Sequence, residues 1–364
     1  MKIKKWAGIT VSMFNYLSGT AKKYHEATNP KSIIMMLCDH IRWISREGEF
    51  NFHYYSQGLD SKGRDVSDVL GRKSLTRFRK LYEGITGDQN AVNSSWSEEL
   101  LIRDKFYCSA ILHAAGFRII DTLFLFTNGI CHPVAGVKSL SELTDGDYFL
   151  KNTLLESGEG VKGFSVKGGA ILLSGGRPGN SAIDEMTRRG RWIVQEKILS
   201  HSAVRAINGT ALNTTRIFTM ATRRGIEYLG GYQAFATGSS GTDSWQHGSV
   251  YVKIDALNNR LGRYGITSQT DPRDGVVYQH PDSKVTFDGY EIPFMSDAVS
   301  LCCNAHSLFN RTFIIGWDIA ITQDGPRIVE ANENPGINVL QCFEGGIRNR
   351  VKKVFGEFGK DHHE

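Results

Sequence analysis

No Cys-x-x-Cys pair occurs in this sequence, and no His-x-x-x-His or Glu-x-x-His spacing is evident. Zinc sites in proteins are usually built on such spacings. Most of the cysteines lie in apolar surroundings, which is typical of reduced, buried thiols in a cytosolic protein. The six cysteines are Cys38, Cys108, Cys131, Cys302, Cys303 and Cys342. We therefore expect neither disulfides nor a zinc site.

Long apolar runs are also missing. The apolar residues 33–37 are followed by Asp39, His40 and Arg42, so no segment approaches the roughly 20 apolar residues of a membrane helix. The basic N-terminus is followed by neither a continuous apolar segment nor a small-residue cleavage site, and it predicts no signal peptide. We expect a cytoplasmic protein without a membrane span.

Several functional motifs are absent as well. No Gly-x-Ser-x-Gly elbow and no Cys/His nucleophile arrangement is present, and no motif for reading bases or stacking single strands appears. The 364 residues carry a net charge of +5 with a pI near 8.8, and the excess is spread along the chain. This suits anionic small molecules such as nucleotides or acidic sugars, and it does not indicate a nucleic-acid partner.

The first part of the sequence contains mostly helix signals, and strand signals follow from residue 118. Asn29-Pro30 predicts a helix start, and the apolar spacing that follows continues to Gly48. A capping box at Ser95 and Glu98 predicts a helix that runs to Gly116. Short strands are expected at residues 118–126, 147–151, 164–166, 170–173, 192–198, 213–222, 226–237 and 249–255, and helices at 181–189 and 297–310. Runs of antiparallel strands among helices argue for an α+β protein.

The most informative stretch is residues 315–338. Alternating residues predict one strand that carries Asp318 and a second that carries Glu330 and Asn332, with a turn at Asp324-Gly325. If the hairpin is symmetric about Asp324, Asp318 lies directly opposite Glu330. Facing carboxylates repel across strands. A bound divalent cation removes this conflict, and an oxygen-only set suits magnesium that bridges substrate phosphates.

Two interpretations of this hairpin stay open. Polar residues at such positions most often form the solvated face of an edge hairpin. The polar loop 332–336, directly after the acidic strand, favours the metal site instead.

Basic and glycine-rich segments upstream predict phosphate contacts. Lys105 lies on a predicted helix, and Lys151 ends a strand just before the loop 156–163. The loop contains Gly158, Gly160 and Gly163, so its backbone could approach phosphate oxygens closely. It is not a Walker A loop, and each piece alone is weak evidence, because single lysines are usually solvated.

Two further segments complete the candidate site. The connector Gln195, Glu196, Lys197 and Ile198 could offer backbone groups and apolar walls to an adenine ring. Arg216 shares a strand face with Phe218 and Met220. If it is buried it needs an anionic partner, for which a phosphate or a developing oxyanion would serve. An arginine that reaches water from a sheet edge is an equally good interpretation.

Taken in order, these segments resemble the ATP-grasp superfamily over roughly residues 100–345. They are most similar to the branch associated with sugar transfer, which is described as related to α-L-glutamate ligases. The matching segments are Asp104-Lys105, residues 149–151 with the glycine loop, residues 194–198, Asn213 to Arg216, Gly316 to Asp318, Glu330 to Asn332, and Asn334 to Gly336. The terminal Asp and Glu-x-Asn signature is the specific part.

The resemblance implies an α+β ATP-grasp fold in which two lobes with antiparallel sheets clamp ATP, preceded by a largely helical N-terminal region. Residues 1–98 would form that region, and residues 99–345 the ATP-grasp domain. Its small lobe would span about 147–198 and its large lobe about 199–345. Residues 346–364 would form a basic C-terminal tail or helix. A homodimer is a family-level expectation.

The resemblance also implies residue roles. Lys105 and Lys151 would hold the ATP phosphates with Gly160 and Gly163, and residues 195–198 would line adenine and ribose. Arg216 would steady the transferred phosphoryl group. Asp318, Glu330 and Asn332 would bind Mg²⁺. These roles need no protein nucleophile, because metal neutralisation and positioning supply most of the catalysis.

The sequence leaves three candidate functions. The first is an ATP-dependent carboxylate–amine ligase that acts through an acylphosphate, in polysaccharide or cell-surface glycan modification. The second is a sugar or polyol kinase on the same nucleotide clamp. The third, a non-catalytic nucleotide-binding protein, is disfavoured because Asp318, Glu330 and Asn332 are all present.

Overall fold

The computed structural model describes residues 29–86, 98–155, 160–173, 177–238, 249–267 and 275–358, together with residues 10, 11 and 14. Within them, fourteen strands form two sheets of seven, and every pairing between neighbouring strands is antiparallel. The strands of the first sheet are β1 (Thr122–Thr127), β2 (Ile130–Pro133), β3 (Gly146–Asn152), β4 (Val161–Lys167), β5 (Ala170–Leu173), β6 (Arg177–Pro178) and β7 (Arg191–Glu196). Their order is β2-β1-β7-β3-β4-β5-β6.

The second sheet holds the C-terminal hairpin. Its strands are β8 (Thr215–Thr222), β9 (Gly225–Phe235), β10 (Val250–Asp255), β11 (Arg260–Thr267), β12 (Val276–Val277), β13 (Ile314–Thr322) and β14 (Gly325–Asn332). Their order is β12-β11-β10-β9-β8-β13-β14. Two antiparallel sheets among helices confirm the predicted α+β class.

Helices precede, connect and follow the sheets. They are α1 (Ile33–Glu47), α2 (Arg72–Thr86), α3 (Glu98–Arg103), α4 (Lys105–Ala114), α5 (Asn180–Thr187), α6 (Ser202–Ile207), α7 (Met295–His306), α8 (Asn338–Glu344) and α9 (Arg348–Phe358). The helix predicted to begin at Asn29-Pro30 begins later. The hydroxyl of Ser32 caps it by accepting from the Met35 amide, whereas Pro30 pairs with Ser61 in an isolated bridge. Its end at Gly48 is as predicted, because this glycine adopts a left-handed conformation.

The single helix predicted from the Ser95 cap to Gly116 is two helices in its described part, α3 and α4. Asp104 interrupts it, since its carboxylate accepts from the amides of Phe106 and Tyr107 and so caps α4. A side-chain cap of this kind competes with continuation of the helix. The Ser95 end of the predicted capping box lies outside the described residues.

The second sheet is covered on both faces. One face packs against α7 in the larger core. The other face meets α8, α9 and the N-terminal region, since Leu70, Leu75 and Tyr82 share a core with Val351 and Val354. The side chain of Gln341 also exchanges two hydrogen bonds with the backbone of Leu70, at 2.8 and 2.9 Å. The N-terminal region is therefore docked on the second sheet through the C-terminal helices.

A buried hydrogen-bonded chain lies beneath the C-terminal hairpin. Trp317 Nε1 donates to Thr219 Oγ1 at 2.8 Å, and this hydroxyl lies 2.7 Å from His306 Nδ1. His306 Nε2 lies 2.8 Å from the Thr312 carbonyl, which can only accept. The neutral ring therefore donates from Nε2 and accepts from Thr219 at Nδ1. Burial lowers the pKa of His306 to about 4, although the bond to Thr312 opposes the shift.

This histidine predicts acid sensitivity. Between about pH 6.5 and pH 4 the unfolded chain holds a proton on His306 that the folded chain does not, so stability is lost as the pH falls. The expected slope is about 1.4 kcal/mol per pH unit for each such histidine. Urea unfolding of the wild type and His306→Gln at about pH 7 and about pH 5 measures it. The variant should show a shallower loss, and an unchanged slope would contradict the assignment. His40 and His53, whose pKa values burial also lowers to about 4, supply the remaining slope.

All six cysteines are free, and Cys108, Cys302 and Cys342 are buried. Cys38 and Cys131 are exposed, so the expectation of buried thiols is wrong for these two. Over the described part of the chain, no helix combines the length and apolar character needed to cross a membrane.

Candidate active site

Asp318 and Glu330 face each other across β13 and β14, as predicted, but the turn alone does not produce this pairing. Near the turn, Thr322 pairs with Gly325 and Ile319 with Ile328, a register that would put Asp318 opposite Val329. A β-bulge between Asp318 and Ile319 shifts the register by one residue. The bulge therefore brings the two carboxylates onto the same face of the sheet.

Arg216 occupies the neighbouring position on β8, directly opposite Asp318. Its guanidinium holds both carboxylate oxygens of Asp318, at 2.5 Å from Nε and 2.9 Å from Nη2. Burial by itself would lower the pKa of Arg216, but the Asp318 carboxylate and the Tyr232 phenol raise it overall. Asn332 lies on the same face, with its Nδ2 3.5 Å from Asp318 Oδ2. Arg216 is thus a half-buried cation on the acidic face of an internal strand, and the interpretation of an arginine at a sheet edge is wrong.

Two lysines approach Glu330 from the side of the first sheet. Lys105, the first residue of α4, places Nζ 3.6 Å from Glu330 Oε2 and donates to the Leu155 carbonyl at 2.6 Å. Burial lowers the pKa of Lys151 on β3. The Glu330 carboxylate opposes this shift, and the Lys105 ammonium adds to it. Burial would raise the pKa of Glu330, but Lys105, Arg216 and Lys151 lower it. Glu330 is therefore an anion among cations, which is the electrostatic setting of a phosphate site.

Asp104 and its partners fix Lys105 at the junction of the two sheets. Asp104 is buried and accepts from Arg191 Nη1 on β7 at 2.7 Å and from Thr153 Oγ1 at 3.2 Å. Arg191 also lies over the Tyr107 ring, 4.4 Å from its centroid. Sequence reasoning missed Arg191, since nothing in its local sequence signals a partner 87 positions away.

On the other side of the junction, α3 is tied to the second sheet. Arg103 Nη2 lies 2.6 Å from Glu333 Oε1, and Glu333 is buried immediately after β14. Successive residues of one segment thus contact both sheets, Arg103 the second and Asp104 the first.

We predict that Asp104→Asn weakens nucleotide binding about tenfold, because a neutral amide keeps a helix cap but loses the charge-assisted bond to Arg191. Isothermal titration with ADP measures this, with Thr153→Val as the matched control because it removes only the 3.2 Å contact. Asp104→Asn should bind ADP more weakly than Thr153→Val, while the two variants should melt at similar temperatures. Equal ADP affinities would show that Asp104 does not position Lys105.

The two glycines predicted to contact phosphate lie in different settings. Gly160 has a φ of +70°, and a Cβ there would lie 2.8 Å from Leu155 Cδ1, so the position requires glycine. Gly163 lies inside β4, opposite Phe149, and is a strand residue where the sequence predicted a loop. Gly158 lies outside the described residues, and so do residues 239–248 of the segment 238–248, for which its Gly, Ser and Asp content predicts a loop.

A cleft between the sheets is lined by α3, α4, β3, β7 and β14, with Lys105, Lys151, Gln195, Val329 and Glu330 among its residues. Its walls are mostly apolar, which suits an aromatic base beside a charged phosphate end. Gln195 is buried and donates to the Ile120 carbonyl at 3.2 Å.

Glu196, Lys197 and Ile198, the rest of the predicted adenine connector, are not among the residues that line this cleft. Glu196 is exposed, Lys197 Nζ lies 3.2 Å from Asp147 at the surface, and Ile198 is half-buried. His201 caps α6 by accepting from the Ala203 amide at 3.1 Å, which is a structural role.

The donor set fits magnesium by its chemistry. Asp318, Glu330 and Asn332 supply carboxylate and amide oxygens on one face, which suits a hard cation. This set has only two carboxylates, and nowhere in the described ranges does a group of three or more His, Cys, Asp or Glu side chains come together as metal ligands. Arg216 donates to both carboxylate oxygens of Asp318, so a magnesium ion at this site would bind a carboxylate that also holds Arg216.

The chain belongs to the sugar-transfer associated ATP-grasp family, whose sequence profile matches residues 90–355. This confirms the resemblance and the ATP-grasp fold expected from the sequence, with a helical region before the two sheets. Comparison with curated protein sequences gives no match.

Solved structures with a similar fold include D-alanine–D-alanine ligase from Bacillus anthracis, with 11% identity and a TM-score of 0.41, covering 72% of this chain and 68% of that one. VanG D-Ala:D-Ser ligase from Enterococcus faecalis has 12% identity and a TM-score of 0.43, covering 71% of this chain and 62% of that one. An L-amino acid ligase from Bacillus licheniformis has 13% identity and a TM-score of 0.36, covering 66% and 43%. This chain spans only 60% of the length of a D-alanine–D-alanine ligase from Coxiella burnetii.

Proposed function

We propose that this protein is an ATP-dependent carboxylate–amine ligase that forms an amide through an acylphosphate and releases ADP and phosphate. The observation that carries the proposal is the position of Glu330. It faces Asp318 within the second sheet and lies 3.6 Å from Lys105, at the junction with the first. Groups suited to a metal and groups suited to phosphates therefore meet at one residue.

The reaction transfers a phosphoryl group and then an acyl group. A carboxylate oxygen of the acid attacks the γ-phosphorus of ATP, and ADP leaves. The amine nitrogen then attacks the acyl carbon, phosphate leaves, and the nitrogen loses a proton. Both steps develop negative charge on oxygen, which preorganised cations stabilise.

The chain's own residues bind and orient the reactants. Lys105 and Lys151 would hold the ATP phosphates, and the apolar walls around Gln195 would exclude water from the base. Arg216 would steady the transferred phosphoryl group and the tetrahedral intermediate. Mg²⁺ bound by Asp318, Glu330 and Asn332 would neutralise charge on the phosphates.

The family description supports a glycan context, in which the acid or the amine is carried by a sugar or polysaccharide. The six free thiols support a cytoplasmic location. A homodimer stays a prediction.

Hydroxylamine trapping tests the reaction class. With candidate acids, Mg²⁺ and ATP, hydroxylamine should replace the amine and give a hydroxamate together with ADP. A stable phosphoester product without hydroxamate would instead establish the kinase alternative. ADP release across a panel of acids and amines would then identify the substrates.

A further inference from the structure

The candidate site is one end of a longer row of residues across the second sheet. Glu330, Asp318, Arg216, Tyr232 and Lys253 lie directly opposite one another on β14, β13, β8, β9 and β10. Directly paired residues project from the same face. We call these five residues the site row. The proposed chemistry uses its first three members and leaves Tyr232 and Lys253 without a role.

A second segment forms a wall along the site row. In the adjacent row, a Cβ on Gly316 would lie 2.6 Å from Pro335, and a Cβ on Gly230 would lie 2.7 Å from Leu340 and 3.0 Å from Glu344. The two glycines therefore let residues 335–344, including α8, lie directly on the sheet. Residues 335–344 thus form a wall beside the site row. We call the strip of the site row along this wall, from Arg216 to Lys253, the floor of a groove; Tyr232 at its centre is 7% exposed.

Charged side chains from three parts of the chain meet at the far end of the groove. Lys253 Nζ lies 3.0 Å from Glu344 Oε1, with 43% and 28% of the two side chains exposed. Arg64 of the N-terminal region is exposed and places Nη1 2.5 Å from where a Cβ on Gly345 would lie. Lys253 is paired with Glu344, and Arg64 lies against the next residue along the chain, so two cations and one carboxylate come from this end of the groove. Tyr264 and Phe343 lie nearby, with ring centroids 6.1 Å apart.

We propose that this groove binds the acid substrate, and that Lys253 and Arg64 hold a second anionic group of that substrate. The inference rests on the proposed function, because it places the reacting carboxylate at Arg216. Adjacent strands lie about 4.8 Å apart, so Arg216 and Lys253 are separated by about 10 Å of groove floor. The substrate class is therefore an extended acid with a carboxylate at one end and a carboxylate or phosphate at the other. Tyr232 forms the floor between them.

A purely structural ion pair between Lys253 and Glu344 would make a different prediction. If the pair only holds α8 on the sheet, neutralising either partner should have the same effect on stability. Neither change should then alter a preference for acids with two anionic groups over acids with one. A substrate subsite predicts opposite effects. Lys253→Gln removes an attraction for the distal anion, whereas Glu344→Gln removes a repulsion.

The test measures binding to the Mg–ADP complex of the full chain by isothermal titration and does not require turnover. Matched probes are gluconate, which has one anionic group, against glucarate and 6-phosphogluconate, which have two, and octanoate against suberate. The wild type should bind the dianionic member of a pair about tenfold more tightly, as expected for a charged hydrogen bond at a half-exposed site. Lys253→Gln should abolish this preference, Lys253→Arg should retain it, and Glu344→Gln should increase it.

Glucarate and 6-phosphogluconate distinguish a carboxylate from a phosphate as the preferred second group. Equal binding or no binding of both members of every pair by the wild type overturns the proposal, as does a preference that survives Lys253→Gln. Loss of hydroxamate formation with these preferences intact would instead remove the ligase assignment and leave the anion subsite standing. Arg64→Gln provides a second variant, outside the sheet, with the same expected loss as Lys253→Gln.

Discussion

Glu330→Gln should lower kcat/KM for ATP by about 10²–10³-fold, the range seen when one preorganised electrostatic group is removed from an active site. The substitution keeps the size of the side chain but removes the anion that faces Asp318 and lies 3.6 Å from Lys105. The site would lose a proposed metal ligand and the counter-ion of two lysines together. ADP-coupled kinetics measure the loss.

The same variant should change the pH dependence of ADP binding. Burial lowers the pKa of Lys151, and Glu330 opposes that shift. Without the Glu330 carboxylate the pKa of Lys151 falls further, so the ammonium loses its proton at a lower pH. The alkaline limb of the ADP affinity profile should therefore move to lower pH in Glu330→Gln.

Glu227→Gln is the matched control, because the partners of Glu227 lie in its own hairpin: Arg224 at 2.9 Å and Thr222 at 3.2 Å. A surface change of this kind usually alters stability by less than about 0.5 kcal/mol and should leave turnover intact. If Glu330→Gln turned ATP over as fast as this control, Glu330 would not be a metal ligand.

Arg216→Lys should lower kcat by about 10²-fold with little change in folding. Lysine keeps the positive charge, but it lacks the planar fork that engages both oxygens of Asp318. A role in binding the ground state and the transition state equally would raise KM and leave kcat unchanged. Steady-state kinetics with saturating ATP separate these cases. A variant with wild-type kcat would exclude Arg216 from the transfer step.

Arg216→Gln goes further, because it leaves the Asp318 carboxylate without its cation. Removing one partner of a fully buried ion pair costs about 3–5 kcal/mol. About a fifth of the Arg216 side chain is exposed, so we expect a smaller loss, about 2 kcal/mol. Thermal melts with and without magnesium chloride test the metal assignment independently of turnover. Mg²⁺ should stabilise this variant more than the wild type, and the absence of any difference would contradict a metal site at Asp318.

The acidic hairpin shows how far local sequence reaches. Period-2 alternation and the Asp324-Gly325 turn are local properties, and they predicted two strands with Asp318, Glu330 and Asn332 on one face. The pairing of Asp318 with Glu330 was predicted from a symmetric hairpin. In the structure a β-bulge produces it, after the turn sets a register that differs by one residue. A bulge depends on packing along the whole strand, which a local pattern does not encode.

The helix of Lys105 shows the opposite limit. The capping box and the apolar spacing predicted one helix from the Ser95 cap to Gly116, but the structure breaks it at Asp104, where the carboxylate caps α4 and binds Arg191. Both roles need a partner strand that is distant in sequence. The position of Gly163 inside β4 is a similar case, since glycine permits a loop and a strand equally.

By itself, the sequence determined the α+β class, the family resemblance, and the polar residues of the hairpin, because alternation, turn chemistry and motif order are properties of neighbouring residues. The tertiary structure alone decided which charges meet. Arg216 binds Asp318 from 102 positions away, Lys105 reaches Glu330, and the site row extends to Lys253. These contacts depend on strand order and register, which are set by the packing of the whole sheet.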